Sequence, residues 1–488
     1  MTILTEFAEL QHHLKQFGQE HLLTFWCELS EKEREVLKKD INDIDFATYF
    51  NDLKKSALNR KQIVDDDLEP PSPEVCGRWS DCTGEQLENY NDIGLKYISN
   101  GEYCAILMAG GAGTRLGVRY PKGMYNVGLP SGKSLFQLQA ERLLRLERLA
   151  LAKFTKTCPI TWYIMTSDCT GDATIEYFKD HKYFGLQPDQ IIFFEQFTLP
   201  AVGSNGKIIL ESKYKISKSP DGNGGLYRAL YNYKLVDDMK FRGIKYALVY
   251  GVDNILVKIA DPVFLGFCVE QGAECAAKVV EKVQPKEAVG IIGKVHGKYQ
   301  VIEYSEISNE TATLRDIKDN KLIYRCGNIC THLFSVDFLS RVCRRDINDL
   351  MIQHIAIKKV PFINIENGLL ETPEKENAVK MEKFVFDVFP LSKSFAIWEV
   401  ERNREFTALK NAPGSVSDCP ETAKADLLAY HRQLILENLN GDFNLQEKVN
   451  KCIIELSPLI TYSGEDLGSI SSLISKSGDK SVIHLEMS

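Results

Sequence analysis

The stretch Ala105-Ile-Leu-Met-Ala-Gly-Gly-Ala-Gly-Thr-Arg-Leu-Gly-Val-Arg-Tyr-Pro-Lys122 constrains this chain more than any other. A short apolar run bounded by glycines reads as a strand buried on both faces of a parallel sheet. Glycines directly after such a strand let a ligand approach the backbone, whose N–H groups then point at phosphate oxygens. Arg115 and Lys122 supply the fixed positive charge that a polyphosphate needs. Taken alone, a GGxG pattern is more often a turn between a core strand and the next element, with two solvated basic residues. The neighbouring residues have to separate these readings.

Two familiar phosphate motifs nearly match and fail on spacing. Gly111-x-Gly113-x-x-x-Gly117 has one residue too many for a dinucleotide fingerprint, and no suitably placed acid supports a ribose contact. Gly128-Leu-Pro-Ser-Gly-Lys-Ser134 is one residue short of a P-loop, and Pro130 stiffens it. The better reading there is a turn with Ser131 or Ser134 as the N-cap of a helix.

At 488 residues the chain is long enough for two or three domains. Its 44% hydrophobic and 26% charged residues are those of a globular enzyme with a large core. A net charge of −8 argues against nucleic-acid or membrane-surface binding, while leaving room for a local basic pocket. The 13 cysteines form no CxxC pair or zinc-like spacing and read as free thiols of a cytoplasmic protein. No apolar run approaches the ~18 residues that span a bilayer.

Residues 1 to 66 read as helices, with Leu10, Leu14 and Phe17, then Leu37, Ile41 and Ile44, then Tyr49, Phe50 and Leu53 on shared faces. Ser30 and Glu33 form a capping-box start. After the break at Glu69-Pro-Pro-Ser-Pro73, residues 79–98 read as a helical lead-in. Strands are expected at 103–108, 160–167, 191–196, 246–252, 274–282, 288–295, 298–305, 328–334, 384–388 and 395–400. Phe136, Ala140, Leu143, Leu146 and Ala150 make a helix between the first two, hence a βαβ unit. The strand-rich 274–305 cluster reads as an antiparallel insertion or edge. The expected fold is α/β: a Rossmann-like, mostly parallel sheet with an N-terminal helical region and a small C-terminal α/β domain. The segments would be 1–100, 101–390 and 391–488.

From Leu107 to Lys122 the chain resembles the LxxGGxGTxxGxxxPK signature of nucleotidyltransferases that join a nucleoside triphosphate to a sugar 1-phosphate. The form here is similar to the eukaryotic UDP-N-acetylglucosamine pyrophosphorylases. Ordered downstream blocks agree: Ser219-Pro-Asp-Gly-Asn-Gly-Gly-Leu226, Val249-Tyr-Gly-Val-Asp-Asn254, Glu303-Tyr-Ser-Glu306, Asn328-Ile-Cys-Thr-His332, Lys380-Met-Glu-Lys-Phe-Val-Phe-Asp387 and Leu409-Lys-Asn411. The resemblance implies a GT-A-like nucleotidyltransferase fold. It implies UTP and N-acetylglucosamine 1-phosphate as substrates, UDP-N-acetylglucosamine and pyrophosphate as products, and Mg²⁺ or Mn²⁺ as cofactor. N-acetylgalactosamine 1-phosphate is a further possible substrate, and a monomer or homodimer is expected. A UDP-glucose-type or broad-specificity enzyme is the nearest alternative, and a non-catalytic UDP-sugar sensor a more distant one.

Arg115 and Lys122 would contact the triphosphate and the developing pyrophosphate charge. Asp253 follows an apolar strand, where open α/β sheets place ligands, and a single carboxylate there suits Mg²⁺. A turn-capping aspartate is the alternative, and the motif context favours the metal over it. Where bacterial relatives carry a second acidic ligand, this chain offers Lys380 or Lys383, and the resemblance favours Lys380 for a role at the triphosphate. Ala109, Gly110, Gly111, Gln196 and Gly222 map onto UTP-binding positions. Gly111, Asn223, Glu303, Asn328 and Lys410 map onto the sugar phosphate, with Lys410 expected to close over the diphosphate.

Overall fold

The computed structural model describes residues 3–58, 64–348, 351, 353–439, 443–476 and 481–486. By internal contacts the chain forms two compact units, each assembled from separated stretches. The larger comprises 63–195, 230–344 and 388–488, and the smaller 1–62, 196–229 and 345–387. This division follows packing, whereas the three consecutive segments above follow sequence texture.

Among its described residues the larger unit builds one sheet of eleven strands. Its path runs through Cys76–Arg78, Phe395–Val400, Cys275–Glu281, Cys326–Ser335, Tyr246–Gly251, Tyr103–Met108, Thr161–Thr166 and Ile191–Glu195. The last four are mutually parallel, and so are the first three. Cys326–Ser335 lies antiparallel between the two groups. Tyr103–Met108 is buried at every residue, as its uninterrupted apolar run requires. Helix Leu135–Phe154 starts at Ser134, whose hydroxyl accepts from Gln137 N–H, so Ser134 rather than Ser131 is the cap. Lys133 of the near-P-loop is buried and donates to Glu141 at 2.8 Å and Ser457 at 3.2 Å, a structural bond that takes it out of phosphate binding.

Two expectations need correction. Residues 384–388 form a turn, and the strand is Ala378–Glu382, just upstream. Phe384 N–H donates to the Asp387 carboxylate at 2.7 Å and Asp387 N–H to Phe384 O at 3.0 Å, which closes the backbone locally. Apolarity at 384–388 therefore reflects packing and not a ladder. Within 274–305, only Ile291–Val295 and Lys298–Ile302 form an antiparallel hairpin. Cys275–Glu281 lies inside the main sheet, parallel to Phe395–Val400, so the chain past 391 returns a strand to that sheet.

Lys278, on the 275–281 strand, is 1% exposed and donates to both Asp261 and Glu405. Lys258 pairs with Glu405 at 3.2 Å. Asn254 donates to Glu405 O at 2.7 Å and accepts from Thr407 N–H at 3.1 Å. These bonds fasten residues 405–408 to the end of the 246–251 strand.

In the smaller unit, helices Ile3–Lys15, Glu31–Asn42 and Phe46–Leu58 carry a core of Leu14, Leu37, Ile41, Phe46 and Tyr49, joined by Trp26 from the short turn Trp26–Glu28. The Ser30–Glu33 capping box is present. That core continues into Val202, Ile208, Leu210 and Met381, and Tyr49 Oη donates to Pro200 O at 2.7 Å. Val202–Gly203, Ala378–Glu382 and His354–Lys358 form an antiparallel sheet.

Replacing Lys278 with Ala would leave Asp261 and Glu405 buried without their shared cation. The expected loss is about 3–5 kcal/mol of stability, read from urea unfolding midpoints. A loss below 1 kcal/mol would show that the cluster does not anchor the 405–408 segment.

Candidate active site

In the larger unit, the end of the 103–108 strand is pinned before the glycines begin. Ala109 N–H donates to Met165 O at 2.8 Å, and Ser167 Oγ donates to Gly110 O at 2.9 Å. The loop is then closed on itself, with Lys122 N–H to Gly111 O at 3.2 Å and Gly113 N–H to Tyr120 O at 3.0 Å. Gly111 is exposed, and a Cβ there would meet nothing within 4 Å. Packing therefore does not demand glycine at 111, whereas a ligand lying on the backbone would.

The sheet register sets what faces this loop. Gly251 lies opposite Met108, so the chain leaves the 246–251 strand beside Ala109 and Asp253 arrives next to the loop. The Asp253 carboxylate folds back over Gly251, where a Cβ would stand 2.9 Å from Oδ1. Asp253 O accepts from Leu409 N–H at 2.8 Å, and Leu409 O accepts from Lys122 Nζ at 3.1 Å. Residues 122 and 253 thus converge on the main chain of Leu409, Lys122 through its ammonium and Asp253 through its carbonyl.

The charges here act on one another. Burial pulls Lys122 below the usual lysine range, Asp253 opposes that shift, and Lys410 and Arg115 add to it. Arg115 and Lys410 are exposed, while Lys122 and Asp253 are half-buried. Cys330 belongs to the same edge: burial pushes its thiol up to about 12, with Asp253 raising it and Lys410 lowering it. Cys330 N–H donates to Asn328 Oδ1 at 3.1 Å. Asn328 N–H donates to Gly290 O at 2.8 Å, and a Cβ on Gly290 would lie 3.2 Å from Glu303 Oε1. Ala109, Gly110, Gly111, Arg115, Lys122, Asp253 and Lys410 therefore group at the strand ends, and Asn328 and Glu303 group around Gly290 beside them. Lys410 sits one residue beyond the fastened Leu409, and its own N–H donates to Asp418 O at 2.7 Å.

Gln196, Gly222, Asn223 and Lys380 lie in the smaller unit. Gly222 has φ +86°, and a Cβ would sit 2.3 Å from Lys383 O, so only glycine fits. Gly224 N–H donates to Lys383 O at 2.8 Å, Lys383 N–H to Asp221 O at 2.9 Å, and Val385 N–H to Asn223 Oδ1 at 2.9 Å. The 221–225 turn and the 383–385 turn are thus zipped together. Asp221 N–H donates to Phe197 O at 3.1 Å, which draws the half-buried Gln196 region to the same turn. Lys383 is buried and donates to both Asn348 O and Asn348 Oδ1 at 2.7 Å. Its ammonium is structural, which leaves Lys380, half-buried and pulled below the usual lysine range by burial, as the lysine open to a ligand role.

Asp253 is the carboxylate that the end of the 246–251 strand brings to this loop. Among the described residues no group of three or more His, Cys, Asp or Glu could hold a metal ion. One carboxylate at a strand end fits a hard cation that completes its shell with phosphate oxygens and water.

The sequence gives no warning of Leu409, which acts through its backbone. Cys330 and His332 follow Asn328 at alternate positions, a spacing that placed them on one strand without indicating that both bond the same amide.

Comparison with known proteins adds a family. A family model described as UTP–glucose-1-phosphate uridylyltransferase matches residues 44–461. The chain is 46% identical over 478 residues to UDP-N-acetylhexosamine pyrophosphorylase-like protein 1 of Homo sapiens, covering 94% of each. It is 42% identical over 484 residues to UDP-N-acetylglucosamine pyrophosphorylase of Saccharomyces cerevisiae, covering 96% of this chain and 98% of that one. Its structure matches the Trypanosoma brucei uridine diphosphate N-acetylglucosamine pyrophosphorylase, solved in complex with an inhibitor. That match has a TM-score of 0.86 and 28% identity, covering 100% of this chain and 99% of that chain.

Burial pushes the Asp221 carboxyl up to about 7 against the pull of Arg228, and its Oδ1 has no hydrogen-bond partner among the described residues. An aspartate whose folded pKa exceeds its unfolded value of about 3.9 binds protons preferentially in the native state. Its contribution to stability therefore falls as pH rises from about 4 through 7. Asp221→Asn should flatten the pH dependence of the urea midpoint over that window, and parallel profiles for the two proteins would refute the assignment.

Proposed function

The chain belongs to the UTP–glucose-1-phosphate uridylyltransferase family, and we propose that it joins UTP to N-acetylglucosamine 1-phosphate, giving UDP-N-acetylglucosamine and pyrophosphate. The observation that carries this reading is the set of cations Arg115, Lys122 and Lys410 around Asp253, beside an exposed glycine loop at the sheet's strand ends. The named activities of the human and yeast relatives support the N-acetylhexosamine substrate. A UDP-glucose pyrophosphorylase from Leishmania major aligns at 16% identity and a TM-score of 0.56, a likeness of fold alone.

A sugar phosphate oxygen attacks the α-phosphorus in line and pyrophosphate leaves. The nucleophile is already an anion, so positioning and charge neutralisation carry the catalysis and no general base is needed. The backbone at Ala109, Gly110 and Gly111 lies against the uridine nucleotide, and Gly111 also against the sugar phosphate. Lys122, held by Leu409 O and lacking full compensation in the free protein, takes the triphosphate charge, and Arg115 takes charge developing on pyrophosphate. Asp253 is the group that would hold Mg²⁺, whose chemistry when bound is to neutralise phosphate oxygens. Of the smaller unit's residues, the family resemblance assigns Lys380 to the triphosphate, Gln196 and Gly222 to the uridine and Asn223 to the sugar phosphate; of the larger unit's, it assigns Glu303, Asn328 and Lys410 to the sugar phosphate. Among the described residues no helix is long and apolar enough to cross a membrane. The proposal takes the enzyme as cytoplasmic and as a monomer or homodimer.

The test is pyrophosphate release from UTP with a panel of sugar 1-phosphates. N-acetylglucosamine 1-phosphate should give the highest kcat/KM, N-acetylgalactosamine 1-phosphate a lower value and glucose 1-phosphate the least. A preference for glucose 1-phosphate would overturn the substrate, and no release with any sugar would overturn the activity. Arg115→Ala and Lys122→Ala should each lose on the order of 10²–10³ in kcat. Turnover near wild type in either would remove its role. Chelating divalent cations should abolish release, and Asp253→Asn should shift the Mg²⁺ requirement to higher concentration.

A further inference from the structure

The amide of Asn328 is held in one orientation by two bonds that reveal which end is which. Its Oδ1 position lies 3.1 Å from Cys330 N and 3.1 Å from His332 Nε2. A backbone N–H can only donate, so the atom facing Cys330 is the oxygen and not the amide nitrogen. The same oxygen then obliges His332 to donate from Nε2–H, which leaves Nδ1 without a proton. That atom is buried with no hydrogen-bond partner among the described residues. His332 is 0% exposed and stands edge-on to Phe389 with ring centroids 5.0 Å apart, an enclosure that keeps the ring neutral and unable to turn cheaply.

The backbone is shaped for the same purpose. Between His332 and Asn328 the pairing with the 275–281 strand slips: Ala277 faces His332, and Val279 already faces Asn328. Three residues, 329–331, stand against the single Lys278 on the neighbour, a bulge of the kind that re-aims side chains. Within it Cys330 has φ +54°, a left-handed conformation that costs a non-glycine residue about 1–2 kcal/mol. The turn brings Cys330 N–H back onto the Asn328 side chain two residues earlier. With the oxygen taken, the amide nitrogen is the end turned away from Cys330 and His332, and no acceptor among the described residues engages it.

We propose that His332 is a positioning residue that holds the Asn328 carbonyl inward, so that Asn328 presents its amide nitrogen, a donor, to an acceptor oxygen of the sugar 1-phosphate. The proposal rests on the reading above that Asn328 contacts the sugar phosphate. It adds a residue to the site that touches no substrate and sets which chemical face of Asn328 the sugar meets.

The experiment is steady-state kinetics of the full chain with varied N-acetylglucosamine 1-phosphate at saturating UTP, in H332L, H332Q, N328A and the H332L/N328A double variant. H332L, which lacks a donor, should raise KM for the sugar phosphate about tenfold and leave KM for UTP unchanged. H332Q, which keeps an N–H, should recover most of that loss, and H332L should add nothing in the N328A background. Wild-type kinetics in H332L, or additive effects in the double variant, would overturn the positioning role. Unchanged kinetics in N328A would remove the sugar contact itself, and this proposal with it, while an impaired N328A beside an unimpaired H332L would overturn the positioning role alone. Should H332L fail to fold, ¹⁵N NMR of the wild-type His332 ring decides: a neutral ring protonated at Nε2 is expected, and protonation at Nδ1 overturns the proposal.

Discussion

The cationic edge of the sheet depends on the main chain of Leu409. Its N–H is taken by Asp253 O and its carbonyl by the Lys122 ammonium, so one peptide residue joins the glycine loop to the 246–251 strand end. Leu409 can serve only because residues 405–408 are immobilised first. Lys278 and Lys258 hold Glu405, Asn254 holds Glu405 O and Thr407 N–H, and Asn254 also bridges Ala408. A buried ion cluster contributes little net stability when formed but strongly resists the loss of one partner. That asymmetry suits a cluster whose task is to fix a segment in place.

The fixed placement matters because the grouped charges repel. Lys122 is pushed by Lys410 and Arg115 against the pull of Asp253, and burial already disfavours its ammonium. An unrestrained loop would relax by letting its cations drift into solvent. Here the Gly111–Lys122 and Gly113–Tyr120 backbone bonds and the Leu409 clasp hold the strain instead. Donors held ready in this way need no reorganisation when charge develops on a phosphate. The net charge of −8 on the whole chain is no obstacle, since the potential that a ligand meets is set by groups within about a Debye length.

What could be read from the residues follows a physical line. The 103–108 strand, the glycine loop, the helix after Ser134 and the Ser30 capping box were legible, because each is set by residues adjacent in sequence. The exclusion of the 128–134 near-P-loop was legible too, and Lys133 bonded to Glu141 gives it a structural cause. The 384–388 turn was not, since an apolar stretch looks the same whether its backbone bonds a neighbouring strand or Asp387 and Asn223. That the Lys383 ammonium bonds Asn348 could not be read from the sequence either. The placement of Phe395–Val400 within the main sheet depends on pairing with a strand more than a hundred residues earlier, which no local pattern encodes.

The 329–331 bulge is where these two levels meet. A regular strand through Asn328 and His332 would place both side chains on one face at ladder spacing, with Asn328 free to offer either end of its amide. The bulge and the left-handed Cys330 bring a main-chain donor onto the carbonyl and draw His332 Nε2 to the same oxygen. Either bond alone would leave a rotatable amide, whereas together they define its two faces. Backbone strain of this size persists only where surrounding structure over-determines it. Here the fully buried His332, wedged against Phe389 and paired across to Ala277, supplies that surrounding structure. The cost in regular strand geometry falls beside Gly290 and Glu303, at the edge to which the proposal assigns the sugar phosphate.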